Sequence, residues 1–509
     1  MRRKTMIRAG ILVVWLAFMA WILRYEAHPE LFTQSLDGYR GLLSRDVPVM
    51  DSWMIIRFQG QPIGYSHTSM EVNDANPLEY HLVNNSVHLN FKALGTTQMV
   101  RTEVNAALNM LYELQTFTFN FSSPGYTLSV RARRLDERMF EAHWRTGHSS
   151  QLMNIEIPMD AVVYSPMTEM AVKRLRPGQA ITLKTLDPTT MGVATVTLRA
   201  LRTESLEHGG RHYETVVVAT EYLGMRTLSW IDVDGAGTIR QETPFGWTFE
   251  AGTPDEAFAA IKASGKTDTD LLARMAVPVK GRIENPRGSR RLRLRLQGTA
   301  FEADALTSRR QHVERIDGHE TILVVDADTV PDVGSESDAG WLTGEGPVPD
   351  GFKAYLEPSM GVESDHSDIV ARARSLVAGR TDAMERAQSI FEWVYGNVEK
   401  EMTVSLPSAL DVLRTMKGDC NEHTYLFVGL ARAAGLPSKI IVGLAYHEGA
   451  FYYHAWPAVY VGRWLEMDPT WGQAAVDATH IALVEGDLSR QVEIVKVVGR
   501  LSIEVLEED

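Results

Sequence analysis

The chain has 509 residues, of which 44% are hydrophobic and 23% are charged. Both fractions are ordinary for a folded protein, so the composition excludes extended disorder and a membrane protein with many spans. The formal net charge of -14 opposes attraction to phosphate backbones, so nucleic acid is not expected as a partner. At this length we expect about three folded units rather than a single core.

The first element is an apolar segment near the N-terminus. Four basic residues within 2–8 precede the uncharged run 9–23, which is a positive-inside pattern. A cleaved signal peptide is the alternative, but residues 21–24 lack the small-residue cleavage pattern. We therefore predict a cytoplasmic stub and transmembrane helix at 1–25, with membrane contact through that helix. The protein would be single-pass and membrane-anchored, with its C-terminal body outside the cytoplasm, in the periplasm or the extracellular space.

A juxtamembrane spacer at 26–50 is followed by a predicted antiparallel β domain at 51–265. Successive runs alternate or favour β-branched and aromatic residues, and glycines fall between them at turns. Near its end, Thr253, Pro254 and Glu256 supply an N-cap, a first-turn proline and a capping box for a short helix. The clearest strand runs are 53–58, 80–89, 113–121, 126–131, 194–201 and 212–220.

A small β-rich domain with a linker is predicted at 271–345. Residues 291–296 alternate arginine with leucine, and residues 321–325 are apolar. Residues 326–350 are rich in Asp, Gly, Ser and Pro, which is typical of a linker or long loop. The two β domains could bind a lipid, glycan or protein partner in the cell envelope.

The remaining residues, 355–509, are predicted to form a domain in which helices precede strands. Apolar residues recur three or four apart in the helical part, and short β-branched runs follow. The whole chain is thus predicted to be α+β, with an N-terminal transmembrane helix, antiparallel β domains and a mixed C-terminal domain. The helical runs are 367–378, 382–399, 405–416 and 422–434, and the strand runs are 438–445, 451–461, 463–467 and 494–505.

Cys420 is the only cysteine of the chain, so it forms no internal disulfide. Gly418 breaks the chain before it and Asp419 can cap a helix, so the thiol is expected in the first turn of an amphipathic helix. Backbone N–H groups and the positive end of the helix dipole favour the thiolate there. The thiolate is the nucleophilic form, and these neighbours distinguish Cys420 from an inert buried thiol.

A histidine and an aspartate follow on two consecutive predicted strands. Folding a hairpin about the turn at 461–462 places Asp468 across from His454, and the two side chains share one face of the sheet. Asp468 could then accept a hydrogen bond from one imidazole nitrogen and fix its tautomer, leaving the other nitrogen for the thiol.

Together these segments resemble the core of the transglutaminase-like superfamily of papain-type thiol enzymes, over roughly residues 385–472. The resemblance implies Cys420 as nucleophile, His454 as general base and acid, and Asp468 as the orienting carboxylate. The segments that carry it are Gly418-Asp419-Cys420-Asn421-Glu422-His423, Arg432 with Gly435-Leu436-Pro437, Gly443, His454-Ala455-Trp456, and Trp464 through Asp468-Pro469-Thr470.

The resemblance also implies an oxyanion hole made by the Cys420 N–H and a side chain from an upstream helix. Trp393 and Tyr395 are the candidates for that side chain. Trp456 is expected to pack beside the site, and His423 to support it from the helix of the thiol.

The reaction implied by the resemblance is attack on an amide or peptide carbonyl, giving a thioester that water or an amine resolves. We expect a peptidase or amidase acting on a peptide or protein substrate. A protein-crosslinking acyltransferase and a non-catalytic binding scaffold of the cell envelope are the alternatives. No metal or cofactor is expected, because no Cys pair, His-Glu-x-x-His motif or Gly-rich phosphate loop occurs in the sequence.

Overall fold

The computed structural model describes most of the chain from residue 50 onward. Over these residues the protein is mostly β, and its helices concentrate toward the C-terminus. The predicted α+β class is therefore confirmed only in part, as a mostly β protein with helices concentrated toward the C-terminus. The described residues are 14–15, 18–19, 34–35, 50–93, 95–163, 175–222, 225–235, 237–244, 246–264, 276–331, 340–343, 346–486 and 500–509.

The first half of the chain contributes one sheet of sixteen strands over the described residues. These are β1 (Gln34–Ser35), β2 (Met50–Phe58), β3 (Gln61–Val72), β4 (His81–Ala93), β5 (Thr96–Leu108), β6 (Leu114–Ser123), β7 (Tyr126–Arg134), β8 (Met139–Arg145), β9 (Ser150–Glu156), β10 (Ala161–Val163), β11 (Ala180–Asp187), β12 (Gly192–His208), β13 (Arg211–Tyr222), β14 (Met225–Asp232), β15 (Thr238–Glu242) and β16 (Trp247–Gly252). Most neighbours are consecutive and antiparallel; β16 pairs with β2 and joins the two series, whereas β1 and β10 pair with β11 in parallel.

Short helical elements accompany this sheet. A 3-10 turn at Pro77–Glu79 precedes β4, and α1 (Pro254–Ala263) packs against β2 and β3. The predicted capping box begins α1, because the Thr253 N–H donates to Glu256 Oε2 at 2.8 Å and the Glu256 N–H donates to Thr253 Oγ1 at 3.3 Å. Two otherwise unpaired N–H groups of the helix start are thereby satisfied.

A five-stranded sheet follows, in the order β17-β27-β18-β20-β19. The alternation at 291–296 places its leucines inward, fully buried, and its arginines outward against acidic side chains. The last strand of the chain pairs with β18 inside this sheet. The elements are β17 (Val279–Lys280), β18 (Arg291–Gln297), α2 (Ala303–Leu306), β19 (Gln311–Asp317), β20 (Glu320–Asp326) and β27 (Ser502–Glu508).

The C-terminal region places helices against a four-stranded sheet in the order β25-β24-β23-β26. Its elements are the 3-10 helix Gly340–Thr343, α3 (Asp350–Lys353), α4 (Ser367–Leu376), α5 (Ala383–Asn397), β21 (Glu399–Lys400), α6 (Ala409–Thr415), β22 (Lys417–Gly418), α7 (Cys420–Ala433), β23 (Ser438–His447), β24 (Ala450–Tyr460), β25 (Trp464–Glu466) and β26 (His480–Glu485). Helix α7 contacts β23, β24 and three other helices, so it lies in the middle of this region.

One hydrophobic core joins the five-stranded sheet to the C-terminal region. Leu294 and Leu323 belong to it together with Tyr425 and Val428 of α7, and all four are fully buried. The division into domains at 271–345 and 355–509 stays a prediction, but the described residues pack across it. Apolar area removed from water in this way stabilises both parts together.

The sixteen-stranded sheet contacts the segment that leads into α7. Ser123 Oγ donates to the Val404 carbonyl at 2.5 Å, and Tyr126 Oη donates to the Leu406 carbonyl at 2.6 Å. The buried Glu363 accepts from the hydroxyls of Ser149 and Ser408, both at 2.7 Å. A cavity of about 340 Å³ lies beside these contacts. The large sheet therefore contacts the segment that leads into α6, the helix that precedes Cys420.

The structure contradicts the predicted membrane anchor. None of the helices that it describes has both the length and the apolar character needed to cross a bilayer, so the predicted single-pass, membrane-anchored localisation is wrong. Most of residues 1–25, where the transmembrane helix is predicted, lie outside the described residues. The physical reason is length, because the apolar run 9–23 falls short of the roughly 20 residues that a span requires.

Candidate active site

Cys420 is the first residue of α7, as the sequence predicts. Asp419 is the N-cap and accepts the Asn421 N–H at 3.0 Å, while Glu422 Oε2 accepts the Asp419 N–H at 2.9 Å. This capping box fixes the start of the helix. Gly418 has a φ of 155°, and a Cβ on it would lie 2.2 Å from the Cβ of Glu422, so only glycine fits before the cap.

The thiol lies at an unpaired stretch of the edge of β24. Phe451 bridges to Val277 and Ala458 pairs with β25, but none of the described strands pairs with this edge between them. In an antiparallel strand, the N–H and C=O groups of every second residue point to the same edge. Phe451 bonds Val277 at this edge, so the other odd-numbered residues of β24 also direct their N–H and C=O groups toward it. The Ala455 N–H accordingly points to the Cys420 sulfur. The thiol therefore contacts the backbone of β24 at the residue that follows His454.

The protonation of Cys420 differs from the sequence-based expectation. Burial raises the pKa of the thiol well above its ordinary value, the Asp419 carboxylate raises it further, and the hydrogen bond from Ala455 acts in the opposite direction. Burial and a neighbouring negative charge both disfavour the thiolate. The favourable effect of the helix start on the thiolate is therefore opposed by burial and by the Asp419 carboxylate.

His454 and Asp468 are in direct contact. His454 Nε2 lies 2.8 Å from Asp468 Oδ2, and both side chains are buried. If Nε2 donates this bond, Nδ1 of the neutral ring is an acceptor. The contact is the predicted one, but the path differs, because the β24 and β25 ladder ends at Ala458 and Glu466. Asp468 reaches His454 from the turn that follows β25.

That turn holds the Asp468 carboxylate from its other side. Oδ1 accepts the N–H groups of Thr470 at 2.8 Å and Trp471 at 3.1 Å. The backbone of Asp468 pairs with Gln473 in both directions. Although burial alone would raise the pKa of Asp468, the contacts with His454 and His480 outweigh it and hold the pKa well below its usual range. Asp468 is therefore ionised and fixed in orientation.

Four residues that the sequence analysis does not place in the site surround this pair. His480, at the start of β26, lies 3.2 Å from Asp468 Oδ2 and 3.1 Å from Asp477 Oδ1. The Trp471 ring stacks on His454 with centroids 4.3 Å apart, and the Arg287 guanidinium lies 4.2 Å from the Trp471 ring. In the sequence, an aspartate and a histidine three positions apart indicate a site only weakly, because this spacing also occurs by chance.

The predicted oxyanion candidates lie in different surroundings. Tyr395 is 43% exposed, and its ring packs against Gly472 in the turn after Asp468, where a Cβ would lie 2.7 Å from the ring. The Trp393 ring faces Arg372 of α4, at 4.8 Å. Tyr395 is therefore the candidate nearer the site, and its role stays a prediction.

His423 and Trp456 are both fully buried. His423 Nδ1 bonds the Asp419 carbonyl at 2.7 Å, so the ring is tied to its own helix, and burial lowers its pKa. Trp456 Nε1 donates to Glu466 Oε2 at 2.8 Å, and its ring stacks at 6.0 Å from that of His454. Trp456 thus packs beside the histidine, in the position that the sequence predicts.

His454, Asp468 and His480 could together present ligands to a metal ion, because one ligand atom from each lies within 4.8 Å of the others. Two imidazole nitrogens and a carboxylate suit zinc. The same atoms already bond one another, so a metal there would compete with the hydrogen bonds to Asp468 and would remove His454 from acid–base chemistry.

Comparison with known proteins identifies the fold of this region. A family model described as the transglutaminase-like superfamily matches residues 370–469. Kyphoscoliosis peptidase from Mus musculus is 32% identical over 145 residues, which are 26% of this chain and 21% of that protein. Kyphoscoliosis peptidase from Homo sapiens is 29% identical over 141 residues, which are 25% of this chain and 20% of that protein. The chain thus spans about a fifth of the length of these curated relatives.

Among solved structures, the periplasmic domain of TgpA from Pseudomonas aeruginosa, bound to ethylmercury, aligns with 15% identity and a TM-score of 0.22 over 38% of this chain and 93% of that one. That similarity is too weak to bear on function. The match at 370–469 begins in α4, contains Cys420 and His454, and ends one residue after Asp468. The chain therefore contains a domain of the transglutaminase-like superfamily.

Proposed function

We propose that the chain is a thiol hydrolase that cleaves a peptide or amide bond with Cys420, His454 and Asp468. The observation that carries the proposal is the buried 2.8 Å contact of His454 with Asp468, next to the strand edge that holds the Cys420 thiol. The transglutaminase-like domain supports thiol chemistry, and the name peptidase given to the relatives supports a peptide substrate.

In this proposal the reaction begins with a neutral thiol. His454 Nδ1 takes the Cys420 proton as the sulfur attacks the carbonyl carbon, and the Cys420 N–H, which has no partner within the helix, donates to the oxyanion. Collapse of the tetrahedral intermediate breaks the C–N bond, and His454 returns the proton to the leaving amine. His454 then takes a proton from the water that attacks the thioester carbonyl. Collapse of this second tetrahedral intermediate breaks the C–S bond, and His454 returns the proton to the sulfur, which releases the acid and restores the thiol. Asp468 stabilises the imidazolium that forms in each half.

The reactivity of the Cys420 thiol should depend on His454. Because Cys420 is the only cysteine, iodoacetamide alkylation followed by intact mass reports on that residue alone. We expect His454→Gln to slow alkylation at pH 7 by at least about tenfold, and peptide hydrolysis by roughly 100-fold or more. His312→Gln, at an exposed position of β19, is the matched control and should change neither rate. Equal alkylation rates for His454→Gln and the unmodified chain would refute the proposal.

A second measurement separates hydrolysis from amine transfer. The purified chain is incubated with a glutaminyl peptide and a labelled primary amine, with Cys420→Ala as the blank. Release of free acid should exceed amine incorporation if water resolves the thioester. Faster incorporation of the amine would instead identify a crosslinking acyltransferase, which uses the same thiol.

A further inference from the structure

His480 contacts a carboxylate through each of its ring nitrogens. Nε2 faces Asp468 Oδ2 at 3.2 Å and Nδ1 faces Asp477 Oδ1 at 3.1 Å, and the side chain is fully buried. An ionised carboxylate only accepts hydrogen bonds, so both nitrogens must carry protons. His480 is therefore an imidazolium, held between two negative charges.

Asp477, which bonds the ring nitrogen of His480 that does not face Asp468, accepts several hydrogen bonds that stabilise its ionised form. Its Oδ1 accepts the N–H and the hydroxyl of Thr479, at 2.8 and 2.6 Å, and its Oδ2 accepts from Arg287 Nη1 at 2.7 Å and Gln473 Nε2 at 2.9 Å. Although burial alone would raise the pKa of Asp477, the contact with His480 and these bonds hold it well below the usual range. The charge on His480 therefore has a permanent partner.

Arg287 links the charged residues Asp477, His480 and Asp468 to the face of the His454 ring on which Trp471 stacks. Its Nη2 donates to the Tyr446 carbonyl at 2.8 Å, and its guanidinium lies over Trp471, whose ring stacks on His454 at an interplanar angle of 17°. One route thus runs from Arg287 through Asp477, His480 and Asp468 to His454, and the other through Trp471. Both sets of contacts restrict the orientation of the His454 ring.

The remaining charges near His480 are balanced among themselves. Arg310 pairs with Glu466 at 2.9 Å and donates to the His480 carbonyl at 3.1 Å. Burial alone would lower the pKa of His480, but the bonds to Asp468 and Asp477 outweigh it and raise the pKa above its ordinary value. The titratable and charged groups near His480 are Asp468, Asp477, Glu466, Arg310 and His454, and Arg287 lies beyond Asp477.

We infer that His480 is a positioning residue for His454: as an imidazolium between Asp477 and Asp468, it fixes the carboxylate oxygen that His454 binds. The inference rests on the proposed function. His454 and His480 share Asp468 Oδ2, so removing His480 takes away one of the two contacts that fix this oxygen, while Oδ1 keeps its bonds to the turn. His480, Asp477 and Arg287 all lie outside residues 370–469, so the family match does not include them.

A double-mutant cycle on Cys420 alkylation tests the inference. We expect His480→Leu, which removes both protons, to slow alkylation about tenfold, and His480→Gln, which keeps a donor toward Asp468, to slow it by less than about threefold. In a His454→Gln background, His480→Leu should cause no further loss, because it acts through His454. If the loss is equal in both backgrounds, or absent in the first, the inference is overturned. If His454→Gln alone changes nothing, the proposed function fails instead.

Nitrogen NMR of histidine-labelled protein reads the charge on His480 directly and does not require activity. Both ring nitrogens of His480 should be protonated at pH 7.5, where an ordinary histidine is mostly neutral. Asp477→Asn should convert the ring to a neutral form at that pH, whereas His312→Gln should leave its signals unchanged. A neutral His480 in the unmodified chain would overturn the inference even if His480→Leu failed to fold.

Discussion

At the scale of single residues, the start of α7 has two opposing effects on the pKa of the Cys420 thiol. The Cys420 N–H and the helix dipole favour a thiolate, but burial and the Asp419 carboxylate raise the pKa of the thiol. Dipole effects at a helix end are worth at most about 2 kcal/mol, and the partly buried sulfur also lies beside the Asp419 carboxyl, which opposes them. The pKa of the thiol is therefore raised on balance, which is why the proposed mechanism assigns its proton to His454.

Replacing Asp419 tests this balance. An asparagine in its place would keep an N-cap acceptor for the Asn421 N–H but remove the carboxyl beside the sulfur, whose own pKa burial and the Glu422 carboxylate raise above its ordinary value. We expect Asp419→Asn to move the midpoint of the alkylation rate toward lower pH by about half to one unit, since less negative charge opposes the thiolate. The measurement is the pH dependence of iodoacetamide alkylation. An unchanged or higher midpoint would mean that the Asp419 charge does not reach the sulfur.

Gly418 is the other residue on which the helix start depends. Its φ of 155° is unfavourable for side-chain-bearing residues, and a Cβ would collide with Glu422, whose carboxylate caps the Asp419 N–H. Gly418→Ala should therefore lower the free energy of unfolding by about 2 to 4 kcal/mol in urea and slow alkylation of Cys420. The control is Gly396→Ala, in α5, where no atom lies within 4 Å of the added Cβ. That change should be neutral or stabilise by up to about 1 kcal/mol.

At the scale of elements, local patterns predict the helices and strands better than the contacts between them. The capping box of α1 follows from Thr253 and Glu256, and the alternation at 291–296 gives a strand with buried leucines. The sequence predicts the contact of His454 with Asp468 through a continued ladder, but β25 ends at Glu466 and a turn returns Asp468 to the histidine. The alternation of residues along a strand predicts which face of the sheet a side chain lies on. It does not predict at which residue the pairing of two strands ends.

The partners beyond that ladder could not be derived from spacing. Arg287 and Asp477 are 190 positions apart in the chain, and their contact depends on how the five-stranded sheet docks on the C-terminal region. No period or motif links such residues, since the contact is set by tertiary packing. The charged and aromatic surroundings of His454 therefore required the structure.

At the scale of the whole molecule, the residues around the candidate site belong to more than one part of the chain. Strand β27 pairs with β18, Arg310 pairs with Glu466, and Arg287 reaches Asp477. These contacts, together with the shared core, cross the predicted division between 271–345 and 355–509. Folding of the C-terminal region should consequently depend on the residues before it.

Truncation tests that dependence. Residues 276–509 should give a cooperative thermal transition by circular dichroism, because they retain the five-stranded sheet and the shared core. Residues 346–509 should not, because β27 would lose β18 and the buried face of α7 would lose the leucines that cover the core. Two fragments melting cooperatively at the same temperature would show that the division predicted from the sequence is a true domain boundary.

The end of the family match, one residue past Asp468, has a practical consequence for protein engineering. A chimera that borrowed residues 370–469 would receive the sulfur, the imidazole and the carboxylate, yet would leave behind His480, Asp477 and Arg287. If His480 positions Asp468 as we infer, the host would have to provide another donor to Oδ2, and donors to Oδ1 in place of Thr470 and Trp471. Transplants of this candidate site should therefore begin no later than residue 276 and extend through 509.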